Sequence, residues 1–179
     1  MSGQFSLHII TSIVAGIILA FPYILFEIWR FITPALEKKE KRKALGLVFS
    51  GSVLFMLGIL FGYYFVSPLS VQFLGNYTVS EQVQNQITLG SFISTVTTVT
   101  LVCGLVFQLP LIVFFLSKLG LLTPEFMRKY RKHAVVITLV LSAIITPPDV
   151  SSQILLTIPL LILYEFSIYI SKMVAKKKK

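Results

Sequence analysis

The sequence predicts an all-α protein that crosses a membrane several times. Two observations carry this: long runs that contain no acidic or basic residue, and a gathering of the basic residues into the gaps between alternate runs. Of 179 residues, 55% are hydrophobic and 13% charged, where a soluble domain carries about 25% charged residues. The mean hydropathy is +0.86. A formal charge of +9 raises nucleic acid as a partner, but the basic residues lie between greasy runs that no soluble fold could bury. Nucleic acid is therefore excluded. Cys103, the one cysteine, lies inside such a run, so neither a disulfide framework nor a metal site is expected.

The uncharged runs are residues 9–26, 44–80, 82–117, 134–148 and 150–164. A spanning helix needs roughly 20 apolar residues to cross about 30 Å of hydrocarbon. The predicted spans are accordingly 6–28, 44–66, 91–116, 133–148 and 150–169, within one domain covering 1–179. The last two runs have 15 residues each. At 1.5 Å per residue each is roughly 22 Å long, short of the core unless polar flanks are recruited or the bilayer thins.

Basic residues set the orientation. Arg30, Lys38, Lys39, Lys41, Arg42 and Lys43 follow the first span, and Lys118, Arg128, Lys129, Arg131 and Lys132 follow the third. Lys172 and Lys176 to Lys179 follow the fifth, whereas 67–90 and the Pro147–Pro148 corner have none. By the positive-inside rule all three clusters are cytoplasmic. The C-terminus is then inside and residue 1 outside. Residues 1–8 have no basic n-region and no cleavage site, which argues against a signal peptide. A start outside that enters a span directly leads us to expect a preceding span in a longer chain.

Several polar positions stand out against this background. Glu37 and Glu40, three residues apart, would share a helical face in the loop that leaves the membrane at Pro34. They can form surface pairs with Lys41 and Lys43, or hold a carboxylate at the interface for an arriving cation. Arginine would suit such a carboxylate best, because its planar fork binds both oxygens. In "LTPEFMRKYRKH" (122–133), Thr123 is the expected N-cap of a short helix, with Pro124 at its first position and Glu125 in its first turn. Its basic residues, like the terminal lysines, are expected to anchor the chain at anionic lipid. Within the spans, Gln108 precedes Pro110, Thr146 and Gln153 flank the proline corner, and Glu165 lies near the inner end of the last run. Each can be a helix–helix hydrogen bond or a functional group. No nucleophile–base pair, zinc motif or phosphate-cradling loop is present, so no enzyme activity and no cofactor are expected.

Three stretches, "FPYILFEIWRFITPALEKKEKR" (21–42), "VFQLPLIVFFLSKLGLLTPEFMRKYRKHAVV" (106–136) and "TPPDVSSQILLTIPLLILYE" (146–165), resemble TatC. TatC is the multispanning receptor core of the twin-arginine protein translocase. The resemblance is collinear over nearly the whole chain. It implies a glove-shaped helical fold with six spans in the full family, of which the first would be absent here. It also implies that Glu40 recognises the arginine pair of a signal peptide and that the aromatic Phe31 belongs to the same patch. Gln108 falls where many relatives have a glutamate facing a membrane cavity, a departure that removes any role resting on charge. Thr146 and Gln153 align with polar positions on the helix pair that receives TatB or TatA, and Pro148 and Asp149 with the family's external corner.

The function implied is capture of twin-arginine signal peptides at the cytoplasmic face. Transport of folded proteins, with TatA, TatB and other TatC copies, would be driven by the proton motive force across a bacterial plasma membrane. The alternative is a small secondary transporter or channel subunit, which should show internal repeats and interrupted helices around a midplane site. Neither is visible in the sequence. Topology is directly testable. Cysteines placed near residue 80 should react with an impermeant thiol reagent from outside, and cysteines near 40 or 128 should not; the reverse pattern would overturn the orientation.

Overall fold

The structure, a computed structural model, describes residues 2–32, 44–76, 88–146 and 150–176. All of its regular elements are helical. Helix α1 is Ser2–Ile32. Helix α2, Ala44–Phe61, runs through a π-helical turn, Gly62–Val66, into α3, Ser67–Asn76. Helix α4, Leu89–Val106, and α5, Leu109–Lys118, are two halves of a broken rod. The short α6, Pro124–Lys129, leads into α7, Arg131–Ile145, and α8 is Val150–Lys176.

Prolines explain both irregularities. Pro68 cannot donate to the carbonyl one turn back, and the helix widens just ahead of it; the Ser67 N–H and hydroxyl both turn to Gly62 O, the latter at 2.8 Å. Pro110 likewise leaves Val106 O without its helical donor, and the rod breaks at Phe107–Gln108, where Gln108 N–H bonds Leu105 O at 3.0 Å. Helix α5 ends on Gly120, whose φ of 80° is left-handed and would strain any side chain.

Four stretches are long and apolar enough to cross a membrane: Gly3–Phe31, Gly46–Asn76, Leu89–Lys118 and Val150–Lys176. Helix α7, with 15 residues, is about 22 Å long and falls below that length. The predicted span 150–169 lies within α8, which has 27 residues and runs on to Lys176. The uncharged run stops at Glu165, but the helix does not, and Arg131 of α7 meets that carboxylate from outside.

Side-chain contacts give the directions. Phe21 stacks on Phe55 at 3.4 Å between ring centroids, and a Cβ on Gly51 would touch Leu25, so α1 and α2 are antiparallel. A Cβ on Gly51 would meet Leu111, one on Gly58 Cys103 and Gly104, and one on Gly62 Thr100, so α2 runs antiparallel to the α4–α5 rod. Helices α5 and α8 are parallel: Val113 packs with Ile168, and one turn on Ser117 bonds Ser171. Helices α7 and α8 form an antiparallel hairpin, with Arg131 opposite Glu165 and Ser142 opposite Thr157. Trp29, at the end of α1, lies 4.7 Å from Phe115 near the end of α5. The described basic residues Arg30, Lys118, Arg128, Lys129, Arg131, Lys132, Lys172 and Lys176 therefore collect at one end of the bundle.

The core is a seam more than a globule. Val66, Val99, Cys103, Leu156 and Leu160 join the π-helical turn to α4 and α8, and Phe21, Phe55 and Ile59 join α1 to α2. Glycines set the α2–α4 distance: a Cβ on Gly58 would lie 2.7 Å from Cys103 O and 2.8 Å from Gly104 Cα. Gly58→Ala should therefore force the helices apart and destabilise the purified protein by about 1–3 kcal/mol in a denaturation experiment. Gly46, with nothing within 4 Å of such a Cβ, is the control: Gly46→Ala should be neutral or stabilising by up to about 1 kcal/mol.

Candidate functional site

The candidate residues fall into three places. Gln108 sits at the break between α4 and α5 and is 6% exposed. Its Nε2 donates to Gly51 O at 3.0 Å, while its Oε1 is buried without a hydrogen-bond partner. This geometry follows from local sequence: Pro110 breaks the helix beside Gln108, and Gly51 has no side chain to keep the amide away. Beside it a groove of about 660 Å³ runs between α2, α5 and α8, lined by Gly51, Leu54, Pro110, Phe114, Phe166 and Ile170 among others, with Lys118 also on its wall. A buried acceptor with nothing to accept is costly in an apolar setting. The arrangement can take one donor from an incoming group.

Thr146 and Gln153 belong to a polar ladder between α7 and α8. Thr157 Oγ1 lies 2.9 Å from Ser142 Oγ and 2.7 Å from Gln153 O, within hydrogen-bond reach of both with its single proton, and Gln153 Nε2 donates to Leu139 O at 3.2 Å. Thr146 is buried, with its hydroxyl bonded to Ser142 O of its own helix at 2.8 Å. Gln153 is only half-buried and is the more accessible of the two. Pro148 and Asp149 lie outside the described residues, between α7 and α8.

Phe31 is 87% exposed in the last turn of α1, at the basic end of the bundle. Glu40, like Glu37, lies in 33–43, outside the described residues. The structure thus brings Thr146 and Gln153 into one ladder, puts Gln108 in a separate contact with α2, and places Phe31 at the bundle's basic end.

Sequence reading missed several contacts. Ser117 bonds Ser171 at 2.8 Å, and Tyr164 donates its hydroxyl to Met127 O at 2.8 Å. Neither residue pair has a local signal, because the partners are 54 and 37 positions apart. Glu165 was visible as a charge near a membrane boundary, but its partner Arg131 could be found only once α7 and α8 were paired. Thr123 does cap α6, accepting from Phe126 N–H at 3.2 Å, with Pro124 opening the helix and Glu125 in its first turn. Among the described residues no cluster of His, Cys, Asp or Glu could hold a metal ion.

Fold and site together define a multi-pass helical membrane protein in which several buried polar groups join helices and the basic ends lie on one side. Residues 1–159 match the family described as Sec-independent protein translocase protein (TatC). The chain belongs to the TatC family. It is 43% identical over 176 residues to a TatC of Blattabacterium sp. subsp. Periplaneta americana, covering 98% of this chain and 66% of that protein. A TatC of Aquifex aeolicus is 41% identical over 169 residues, covering 94% of this chain and 70% of that one. A crystal structure of a twin-arginine translocase receptor, TatC, superposes with a TM-score of 0.77 at 40% identity, covering 96% of this chain and 75% of that chain. The chain thus spans about two thirds of the length of the curated relatives it matches.

The α7–α8 ladder makes a quantitative prediction. In a double-mutant cycle of Ser142→Ala and Thr157→Val, the coupling should be about 0.6 kcal/mol and no more than about 1.7. Coupling indistinguishable from zero in a detergent denaturation series would mean that this bond does not join the two helices.

Proposed function

We propose that the chain is the greater part of a translocase receptor that captures twin-arginine signal peptides at the cytoplasmic face of a bacterial plasma membrane. The observation that carries this reading is the collection of all described basic helix ends at one end of the bundle, with exposed Phe31 among them. By the positive-inside rule that end is cytoplasmic. The segment carrying Glu40 begins there, one residue beyond the end of α1. An arginine pair arriving at this surface meets many like charges, so a carboxylate not already paired with a neighbouring cation would give both attraction and selectivity. Glu40 supplies the carboxylate, with Phe31 as an aromatic face nearby. Pairing is stronger there than in bulk water because the interface lowers the effective dielectric.

In this reading Thr146 and Gln153 receive the single-span partners TatA or TatB, with the corner at Pro148 and Asp149 setting the turn. Gln153 is the better-placed contact because its side chain is partly open while Thr146 is satisfied within its own helix. The unpartnered Gln108 carbonyl is a third docking point, able to accept a hydrogen bond but not to carry charge. Transport of folded cargo would then draw on the proton motive force and on further copies of the subunit. The break between α4 and α5 meets one expectation of the transporter reading, but the match of residues 1–159 to the TatC family supports the translocase reading over it.

Glu40→Gln keeps the size and removes the charge. It should weaken binding of a twin-arginine peptide by roughly ten- to hundredfold, the effect of losing a charge-assisted bond of about 1.5–3 kcal/mol. The binding assay should use a version that includes the family's first span, with Glu37→Gln as a matched control that changes little. Equal affinity for the Glu40→Gln and unmodified proteins would remove Glu40 from the site.

A further inference from the structure

The side chains that point outward along the α2–α3 rod change character at one level. From Val53 to Leu60 the exposed positions are Val53, Met56, Leu57 and Leu60; from Ser67 to Asn76 they are Pro68, Gln72 and Asn76. At the change stand Tyr63 and Tyr64, 53% and 65% exposed, their rings edge to face with centroids 5.1 Å apart. They project from the π-helical turn, whose buried Gly62 and Val66 pack against α4 and α8. Counted from Ala44 at the basic end, they lie about 28–30 Å along the rod, close to the thickness of a bilayer's hydrocarbon.

The neighbouring helices change at the same level. Gly62 faces Thr100, whose Cα would lie 3.0 Å from a Cβ placed there. Outward of Thr100, α4 carries Ser91, Ser94, Thr95, Thr97 and Thr98; from Leu101 to Leu116 the one hydroxyl or amide is Gln108. Equal steps outward from the Phe21–Phe55 stack bring Ile13 of α1 level with Tyr63. Gln4, Ser6, His8, Thr11 and Ser12 come before Ile13, and no polar side chain follows it up to Pro22. Leu156 of α8 packs in one cluster with Val66 and Val99, and Ser151, Ser152 and Gln153 precede it. Four helices thus gain hydroxyls and amides, without acidic or basic charge, at the level of Tyr63 and Tyr64.

We propose that Tyr63 and Tyr64 anchor the bundle at the bilayer interface away from the basic end, with rings at the edge of the hydrocarbon and hydroxyls among the ester and headgroup oxygens of the lipid. Tyrosine suits that place because its ring is apolar and its tip is polar. Neither phenol hydroxyl has a hydrogen-bond partner among the described residues. Inside hydrocarbon an unmet hydroxyl is costly, whereas ester oxygens and water meet it at the interface. Helix α3 and the first turns of α4 and α8 then stand at headgroup level or beyond. This explains why Gln72 and Asn76 can face outward on the same rod that shows Val53, Met56 and Leu57 to lipid. The inference needs the bundle to cross a membrane, but not that a particular side be cytoplasmic, nor peptide capture.

Depth-resolved fluorescence quenching of the full chain in phosphatidylcholine vesicles tests this. Tyr63→Trp and Tyr64→Trp, each combined with Trp29→Phe to remove the one native tryptophan, report the two positions separately. The quencher is carried by the lipid, either on the headgroup or at the middle of the acyl chain. Both reporters should be quenched more strongly from the headgroup, by about twofold or more, as a ring at the interface requires. Val53→Trp, exposed and about 15 Å nearer the basic end, should show the reverse order. Gln72→Trp should escape the mid-chain quencher and be reached by iodide from water. Stronger mid-chain quenching at position 63 or 64 would place that ring in hydrocarbon and overturn the proposal, as would mid-chain quenching at position 72. No quenching by either lipid at 63 and 64 would mean that protein, a partner helix or a second copy, covers the tyrosines, and would equally overturn it. If one tyrosine variant does not fold, the other decides alone.

Discussion

Everything in this structure depends on how helices are held together where the solvent is as apolar as the side chains. Lipid offers no hydrophobic drive for one helix to leave it and join another, so association rests on close packing and on a few interhelical hydrogen bonds. The bundle uses both, in different places. The α2–α4 seam is made by glycines: Gly58 and Gly62 on one helix and Gly104 on the other bring the two backbones so close that any added carbon would meet its neighbour within 3 Å. The α5–α8 and α7–α8 seams are made by hydroxyls, through Ser117–Ser171 and Thr157–Ser142. Packing at one seam and hydrogen bonding at the others lets the same short chain hold three different helix neighbours around α4 and α8.

The same constraint explains where polar groups occur. A backbone carbonyl deprived of its helical donor has no water to turn to in hydrocarbon, and two prolines in the spans coincide with a local repair, while Pro22 and Pro159 sit inside uninterrupted helices. At Pro68 the repair is a π-helical turn closed by Ser67; at Pro110 it is a break with tighter turns on either side. The second repair coincides with a buried polar residue at the break, and that residue is Gln108. Its amide is satisfied on the donor side by Gly51 and left open on the acceptor side. A glutamate in this place would have to be protonated to offer a donor to Gly51 O. Glutamine provides that donor at every pH.

The alternation of charge made much of this legible in advance. Uncharged runs marked the helices, and three basic clusters predicted that the ends of α1, α5 and α8 would lie together with the starts of α2 and α7. The contacts of Trp29 with Phe115 and of Ser117 with Ser171 place the α1, α5 and α8 ends side by side. The cap at Thr123 was equally readable, because Thr-Pro-Glu is a local signal. What could not be read was pairing. Gly58-x-x-x-Gly62 is present in the sequence as a close-packing pattern, yet nothing near it names Cys103 and Gly104 as the opposing face. The partner of Glu165 is a further case: nothing near it in the sequence names Arg131, on another helix.

Helix α8 is the element that connects the ends. At 27 residues it is about 40 Å long, enough to pass from the corner beside Gln153 to the basic end at Lys176. Along that length it bonds or packs in turn with α7, with the core at Leu156 and Leu160, with α6 through Tyr164, and with α5 through Ser171. In the proposed reading, partner helices dock near one end of this rod and signal peptides near the other. A continuous helix, and a hairpin that shares hydrogen bonds with it, connect α6 and α7 at the basic end to Gln153. That is mechanical continuity, and it is not yet a switch: switching needs a second arrangement of the same contacts. The places able to supply one are the two proline repairs, at Pro68 and Pro110, because only there does the backbone of a span leave the regular α-helical pattern that fixes everything else.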